Sequence, residues 1–289
     1  MRIAVRHHTA YRYSTEVYLG PQVLRLKPRS DAAQQLAEFS IHISPEPSGL
    51  TSNIGTEGNH ELLAWFKGPT DVLQLETYAV VETLRANPFD FIWLAEHRLP
   101  LSYSPEQDEA LLQYRFTEPL AESVQALASK IAVGVGEEAQ PFPMALVTAI
   151  HSTCRQVFRA EGDPRPPEET LERRAGSCRD LTVLFNAIAR SAGFAARFVS
   201  GYHAAAEQDR YELHAWSELY LPGGGWRGFD PSSGLAVGDR HIAIASGPRP
   251  RDAAPISGAY YGTDAGARLA TSVDIQILNG DSQQLELPY

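Results

Sequence analysis

The sequence predicts an α+β protein: a β-rich, sandwich-like N-terminal domain, then a core of helices packed on antiparallel strands. Three observations carry this. Apolar residues alternate at period two through residues 1–85. After Thr117 they recur at helical spacing. Beyond Gly193 the chain returns to strand-like segments joined by turns.

Each element has its own signal. Ile3, Val5, His7, Thr9, Tyr11 and Tyr13 share one face of an extended segment. Phe39, Ile41 and Ile43 repeat the pattern, as do Leu62, Ala64 and Phe66, then Leu73, Leu75, Thr77, Ala79 and Val81. Turn-rich "SPEPSG" (44–49) and "GTEGN" (55–59) separate them. "SYSPEQDEALLQY" (102–114) reads as a polar connector. The expected boundaries are therefore 1–100 for the β-rich domain, 101–116 for the connector and 117–289 for the core, whose C-terminal strands could pack back on the first domain.

Within the core, Leu120, Val124, Leu127 and Ile131 predict a helix after "TEP", with Pro119 in its first turn. Val147, Ile150, Cys154 and Val157 predict a second, with Cys154 on its apolar face. "EGDPRPPEET" (161–170) reads as a loop running into a short helical turn. Cys178, Leu181, Phe185 and Ile188 mark a third helix, ended by Gly193. "ARFVSGY" (196–202), "YELHAWSELYL" (211–221), "WRGFD" (226–230) and "TSVDIQIL" (271–278) read as strands, with "PGGG" (222–225) as a hairpin turn.

Composition narrows the function. With 43% hydrophobic and 21% charged residues, the 289-residue chain can bury a sizeable core. A net charge of -10 disfavours nucleic acid and anionic membrane as partners. No run approaches the ~18 apolar residues of a membrane span, and "MRIAVRHHTAYRY" lacks the apolar centre of a signal peptide. Two cysteines, Cys154 and Cys178, are too few for a disulfide framework. The expected compartment is the cytoplasm.

The chemistry concentrates at "RRAGSCRDLTVLF" (173–185). Ser177 and Asp180 fit a capping box, which makes Cys178 the first helical residue. Its sulfur then meets unpaired backbone N–H groups and the positive helix end, which favour thiolate. Arg179 pushes the same way and Asp180 opposes it. The same N–H groups could serve an oxyanion hole. The base candidate is His214, on a face with Glu212, Trp216 and Glu218. The plain alternative is a core histidine bonded to backbone. The orienting candidate is Asp230, which could equally start a turn before Pro231. His214 and Asp230 are 16 residues apart, on strands joined by the tight hairpin. That arrangement can put both side chains on one face within hydrogen-bond reach.

In this order, with "GSC" opening a helix, "HAW" in a strand and "GWRGFDP" in the next, the chain resembles the bacterial transglutaminase-like superfamily, whose members are often described as cysteine proteases. "VLRLKPR" (23–29), "NIGTEGN" (53–59) and "AARFVSGY" (195–202) extend the resemblance into the N-terminal domain of that family and past the cysteine helix. It implies a papain-like thiol core with Cys178 as nucleophile, His214 as base and Asp230 as orienter. Where the family often has an apolar residue before the cysteine and Gln after it, this chain has Ser177 and Arg179.

Other readings weigh less. The nine histidines invite a metal site. His7 and His8 would face opposite ways on a strand, and His203 and His214 have no second cysteine at ligand spacing. "GVGEE" (134–138) lacks the pattern of a dinucleotide loop. Trp216 and Trp226 are expected to line a cleft or fill the core, and Tyr202 is a candidate cleft residue. Two function classes survive. One is thiol-dependent acyl transfer at the amide of a peptide or protein, ending in hydrolysis or in transfer to an amine, with no cofactor. The other is a non-catalytic peptide-binding scaffold.

Overall fold

A computed structural model describes residues 1–94, 98–116, 118–159, 162–204 and 212–278. Its order is β1 (Arg2–Leu24), β2 (Gln34–Ser44), β3 (Gly49–Ile54), β4 (His60–Trp65), β5 (Pro69–Thr83), α1 (Pro105–Ala110), α2 (Leu112–Arg115), α3 (Glu122–Gly134), α4 (Phe142–Thr153), β6 (Arg155–Gln156), α5 (Pro167–Arg173), β7 (Ala175–Gly176) and α6 (Cys178–Ser191), then β8 (Ala196–His203), β9 (Leu213–Leu221), β10 (Gly225–Asp230), β11 (Leu235–Ala236), β12 (His241–Gly247), β13 (Ile256–Tyr261) and β14 (Ala267–Leu278). The fold is α+β.

β1 is the spine of a seven-stranded sheet ordered β2-β5-β1-β4-β3, with β13 and β14 also paired to β1. Its first half, Arg2–Tyr13, lies between β5 and β14. Its second half pairs with β4 and β13. Register with β5 shifts between Arg12 and Val17, and the strand continues past the point where alternation breaks. Ile3, Val5, Val17 and Leu24 are buried along it.

A second, five-stranded antiparallel sheet runs β11-β10-β9-β8-β12. Helices α3, α4 and α6 build one core with Ala196, Leu219, Leu221 and Phe229 of this sheet. Phe198, Tyr202, Ile242 and Ile244 instead share a core with the seven-stranded sheet. β12 is an edge strand, and the N-terminal domain covers it with side-chain amides. Gln34 donates to the Ala243 carbonyl at 2.9 Å and accepts the Ala243 N–H at 2.7 Å. Asn59 makes the same two-way contact with Ser246, at 2.8 Å each way. These amides satisfy edge groups that would otherwise be buried unpaired.

Several expectations need correction. Residues 101–116 hold α1 and α2; Ser104 caps α1 from Gln107 N–H at 3.3 Å, with Pro105 at the first helical position. Thr117, Glu161, Tyr211 and 279–289 lie outside the described residues. Pro119 precedes α3, which starts at Glu122. Cys154 is the extended residue just after α4, and Val157 lies beyond the helix. The chain leaves the helix there because β6 pairs in parallel with β7, immediately before α6. In the β9–β10 turn, Gly223 and Gly225 have φ of +82° and +66°, a region where an L side chain is strained.

Buried charge also joins the two sheets. Glu218 of β9 accepts from Arg29 at 2.9 Å and from Arg197, with the nearest nitrogen at 2.6 Å. Burial opposes its charge, but Arg197 and Arg29 bring its pKa from 4.5 to about 2. Glu218→Ala leaves two guanidiniums poorly paired, and urea denaturation should show a loss of about 3–5 kcal/mol. Because the folded pKa is depressed, the stability Glu218 contributes is full above 4.5 and is lost as pH falls toward about 2. Wild-type unfolding free energy should therefore decline through that window, and the Glu218→Ala variant should decline less steeply.

Candidate active site

Three segments converge on the site. α6 begins at Cys178, with Ser177 extended before it (φ −70°, ψ 168°). The Asp180 carboxylate accepts the Ser177 N–H at 2.9 Å, the Arg165 N–H at 2.8 Å and the Arg159 guanidinium at 2.6 Å. Asp180 is therefore an anchor for the helix entrance. Arg179 turns aside and donates to the Arg159 carbonyl at 2.8 Å.

The β9–β10 hairpin supplies the other two groups. Its register pairs Leu221 with Gly225 and Ser217 with Phe229. Continued one step, it sets Asp230 opposite Trp216, with His214 as the diagonal neighbour on the same face. His214 Nε2 donates to Asp230 Oδ2 at 2.9 Å. The ring also makes a side-chain hydrogen bond with Cys178. The structure thus brings Cys178, His214 and Asp230 together in one chain of contacts.

The electrostatics follow from burial and pairing. Burial disfavours imidazolium at His214. The charge and hydrogen bond of Asp230, with the hydrogen bond and charge at Cys178, outweigh it and hold the pKa above the ordinary histidine value. Burial alone would raise the Asp230 pKa, but His214 and His241 hold it well below the usual range. His203 falls to about 3 through burial and the neighbouring His241 and His214. Burial also lowers the His241 pKa, against the pull of Asp230. Of the three imidazoles, only His214 is shifted toward its charged form.

The site faces a cleft of about 1410 Å³. Cys178, His203 and His214 line it together with His7, Tyr11 and Thr271 of the seven-stranded sheet. Tyr202 and Trp216 do not line it. Tyr202 is buried and bonded to His7 Nδ1 at 2.9 Å. Trp216 packs into the sheet with Val199 and Ala243. Trp216 shares the face of His214, but deeper in the sheet that face is covered, so Trp216 fills the core while His214 reaches the cleft. Trp226 instead takes the Arg197 guanidinium over its ring at 4.2 Å.

Sequence reasoning missed His241. It opens β12 and donates from Nε2 to Asp230 Oδ2 at 3.2 Å. The alternation in "HIAIASG" (241–247) is the signal that could have found the strand. With His203, His214 and Asp230, His241 makes a group whose donor atoms lie within 4.8 Å of one another. His203 and His241 are stacked nearly parallel, at 4.1 Å and 11°, so their in-plane lone pairs run alongside each other instead of converging on one ion. His214 and His241 share Asp230 Oδ2 by hydrogen bonds, and His203 joins them by stacking on His241.

The two thiols differ in setting. Cys154 is 3% exposed and burial raises its pKa, whereas Cys178 is half-buried on the cleft. Iodoacetamide at neutral pH should therefore alkylate Cys178 and spare Cys154. Peptide mapping checks this, and preferential labelling of Cys154 would reverse the assignment.

With the geometry in hand, relatives are informative. Residues 3–82 match the bacterial transglutaminase-like N-terminal region, and 125–231 match the transglutaminase-like superfamily core. An uncharacterized protein of Mycobacterium tuberculosis H37Rv is 25% identical over 315 residues, spanning 97% of this chain and 94% of the relative. One from Mycobacterium leprae is 24% identical over 282 residues, spanning 96% and 97%. The crystal structure of a "Putative Cysteine Protease" from Cytophaga hutchinsonii has a TM-score of 0.69 at 20% identity, covering all of this chain and 94% of the other, and shares its fold. The chain thus carries a transglutaminase-like superfamily core over residues 125–231, preceded by the bacterial transglutaminase-like N-terminal region over residues 3–82.

Proposed function

We propose that the protein catalyses thiol-dependent acyl transfer at an amide bond of a peptide or protein, with hydrolysis as the outcome when no amine is supplied. One observation carries the reading: His214 bridges the Cys178 sulfur and the buried Asp230 carboxylate. An imidazolium stabilised by a carboxylate on one side favours thiolate on the other.

The Cys178 thiolate attacks the amide carbon, forming a C–S bond and an oxyanion that the N–H groups opening α6 can hold. His214 gives its proton to the departing amine nitrogen as the C–N bond breaks, leaving a thioester. Water then attacks, His214 takes its proton, and the C–S bond breaks to release acid and thiolate. An amine in place of water releases a new amide. Asp230 keeps the imidazole in the tautomer that serves the sulfur and stabilises its charge whenever the ring is protonated.

Two experiments test this. Asp230→Asn should cut turnover by orders of magnitude, on the scale of roughly 10⁴ for loss of a triad carboxylate. Wild-type turnover in that variant would count against the bridge. In the second, the enzyme meets an acyl donor it accepts, a series of primary amines is added, and acid and amide products are quantified. Acid should dominate, with amines at roughly millimolar level changing little. Diversion of most flux by one amine at low concentration would reassign the protein to amide transfer. Neither product, with Cys178 unreactive, would favour the binding scaffold.

A further inference from the structure

Asp230 meets two imidazoles, and only one of them reaches the thiol. Its Oδ1 accepts the Ser232 and Ser233 N–H groups at 2.8 and 3.4 Å, which ties the carboxylate to the turn after β10. Its Oδ2 accepts from His214 at 2.9 Å and from His241 at 3.2 Å. His241 belongs to another strand, and its own position is over-determined. His203 stacks on its face, and Trp216 packs against it edge-to-face at 5.1 Å and 72°.

We propose that His241 is a positioning residue for the acyl-transfer site, a permanently neutral hydrogen-bond donor that holds Asp230 Oδ2 in line with His214. This goes beyond the reading above and rests on it for the roles of Cys178, His214 and Asp230. The tautomer follows from the surroundings. Nε2 must carry the proton it donates to the carboxylate. Nδ1 is buried with no hydrogen-bond partner among the described residues. A proton there would put an unsolvated, unpaired N–H⁺ in the interior, so neutral Nε2–H is the form that fits. Burial also disfavours the charged ring. A second cation on Oδ2 would compete with His214 for the charge of Asp230; a neutral donor fixes the carboxylate without competing. The groups facing His241 are Asp230, His214 and His203, with Arg240 charged beside it in sequence.

The test separates positioning from packing and needs no substrate. His241→Phe keeps a ring in the stack and removes the donor; His241→Gln restores a donor near the place of Nε2. The readout is the pH profile of Cys178 alkylation by iodoacetamide. His241→Phe should slow labelling at neutral pH about tenfold or more, the scale of one lost hydrogen bond to a charged group, and His241→Gln should recover most of it. Equal rates and profiles in wild type and both variants would reduce His241 to a packing residue. ¹⁵N NMR of the wild-type histidine rings decides the matter even where the Phe variant does not fold. His241 should remain neutral with its proton on Nε2 between about pH 5 and 8. A charged ring, or a proton on Nδ1 alone, would overturn the proposal. If wild-type Cys178 proves unreactive, the acyl-transfer reading fails on that result, and the NMR measurement still judges His241.

Discussion

A carboxylate withdrawn from water sets the terms for this site. Asp230 is fully buried, and an ionised carboxylate in such a place is tolerable only if its oxygens are met by donors. The turn after β10 meets one oxygen and two imidazoles meet the other. Three strands are thereby fixed to a single side chain: β10 carries it, while β9 and β12 carry its partners. The same contacts decide where positive charge can reside, because an imidazolium beside Asp230 is favoured at His214, and Cys178 lies on the far side of that ring. Geometry and charge at the thiol are two consequences of one buried group.

β12 extends the constraint beyond the core. It opens with His241 against Asp230, and its outer edge receives Gln34 and Asn59 from the N-terminal region. The strand that helps hold the carboxylate is therefore the strand on which the seven-stranded sheet docks. Arg29 reinforces the junction by reaching both Ser246 and Glu218. Holding the N-terminal sheet here also brings His7, Tyr11 and Thr271 into the lining of the cleft that holds the thiol. Both chain ends contribute, since β14 runs along β1 there.

What was legible in the sequence was what local physics specifies. Ser177 and Asp180 announce a helix start, and the apolar spacing after Cys178 marks a helix that the structure runs to Ser191. The glycines at 223 and 225 announce the turn between β9 and β10, and counting across it suffices to bring His214 near Asp230. Cys154 was legible as buried but not as leaving its helix, because the short parallel pairing of β6 with β7 has no local signature. His241 was not legible at all. Its partner is 11 residues away around an irregular turn, and no periodicity connects them. The docking amides Gln34 and Asn59 read as ordinary polar residues until β12 is placed beside them. For Tyr202 and Trp216, alternation gives a face, but which face meets solvent depends on what the rest of the chain packs against it.

The central claim is that Cys178 carries the acyl group between donor and acceptor. Rapid-quench mass spectrometry of the intact protein, mixed with an activated acyl donor, reads this directly. The account predicts a transient mass increase equal to the acyl group, located on the Cys178 peptide, that decays as free acid appears. The same adduct should be absent from a Cys178→Ser variant on that timescale. Acid released with no covalent intermediate, or an adduct on any other residue that forms and decays at the rate of turnover, would contradict the account.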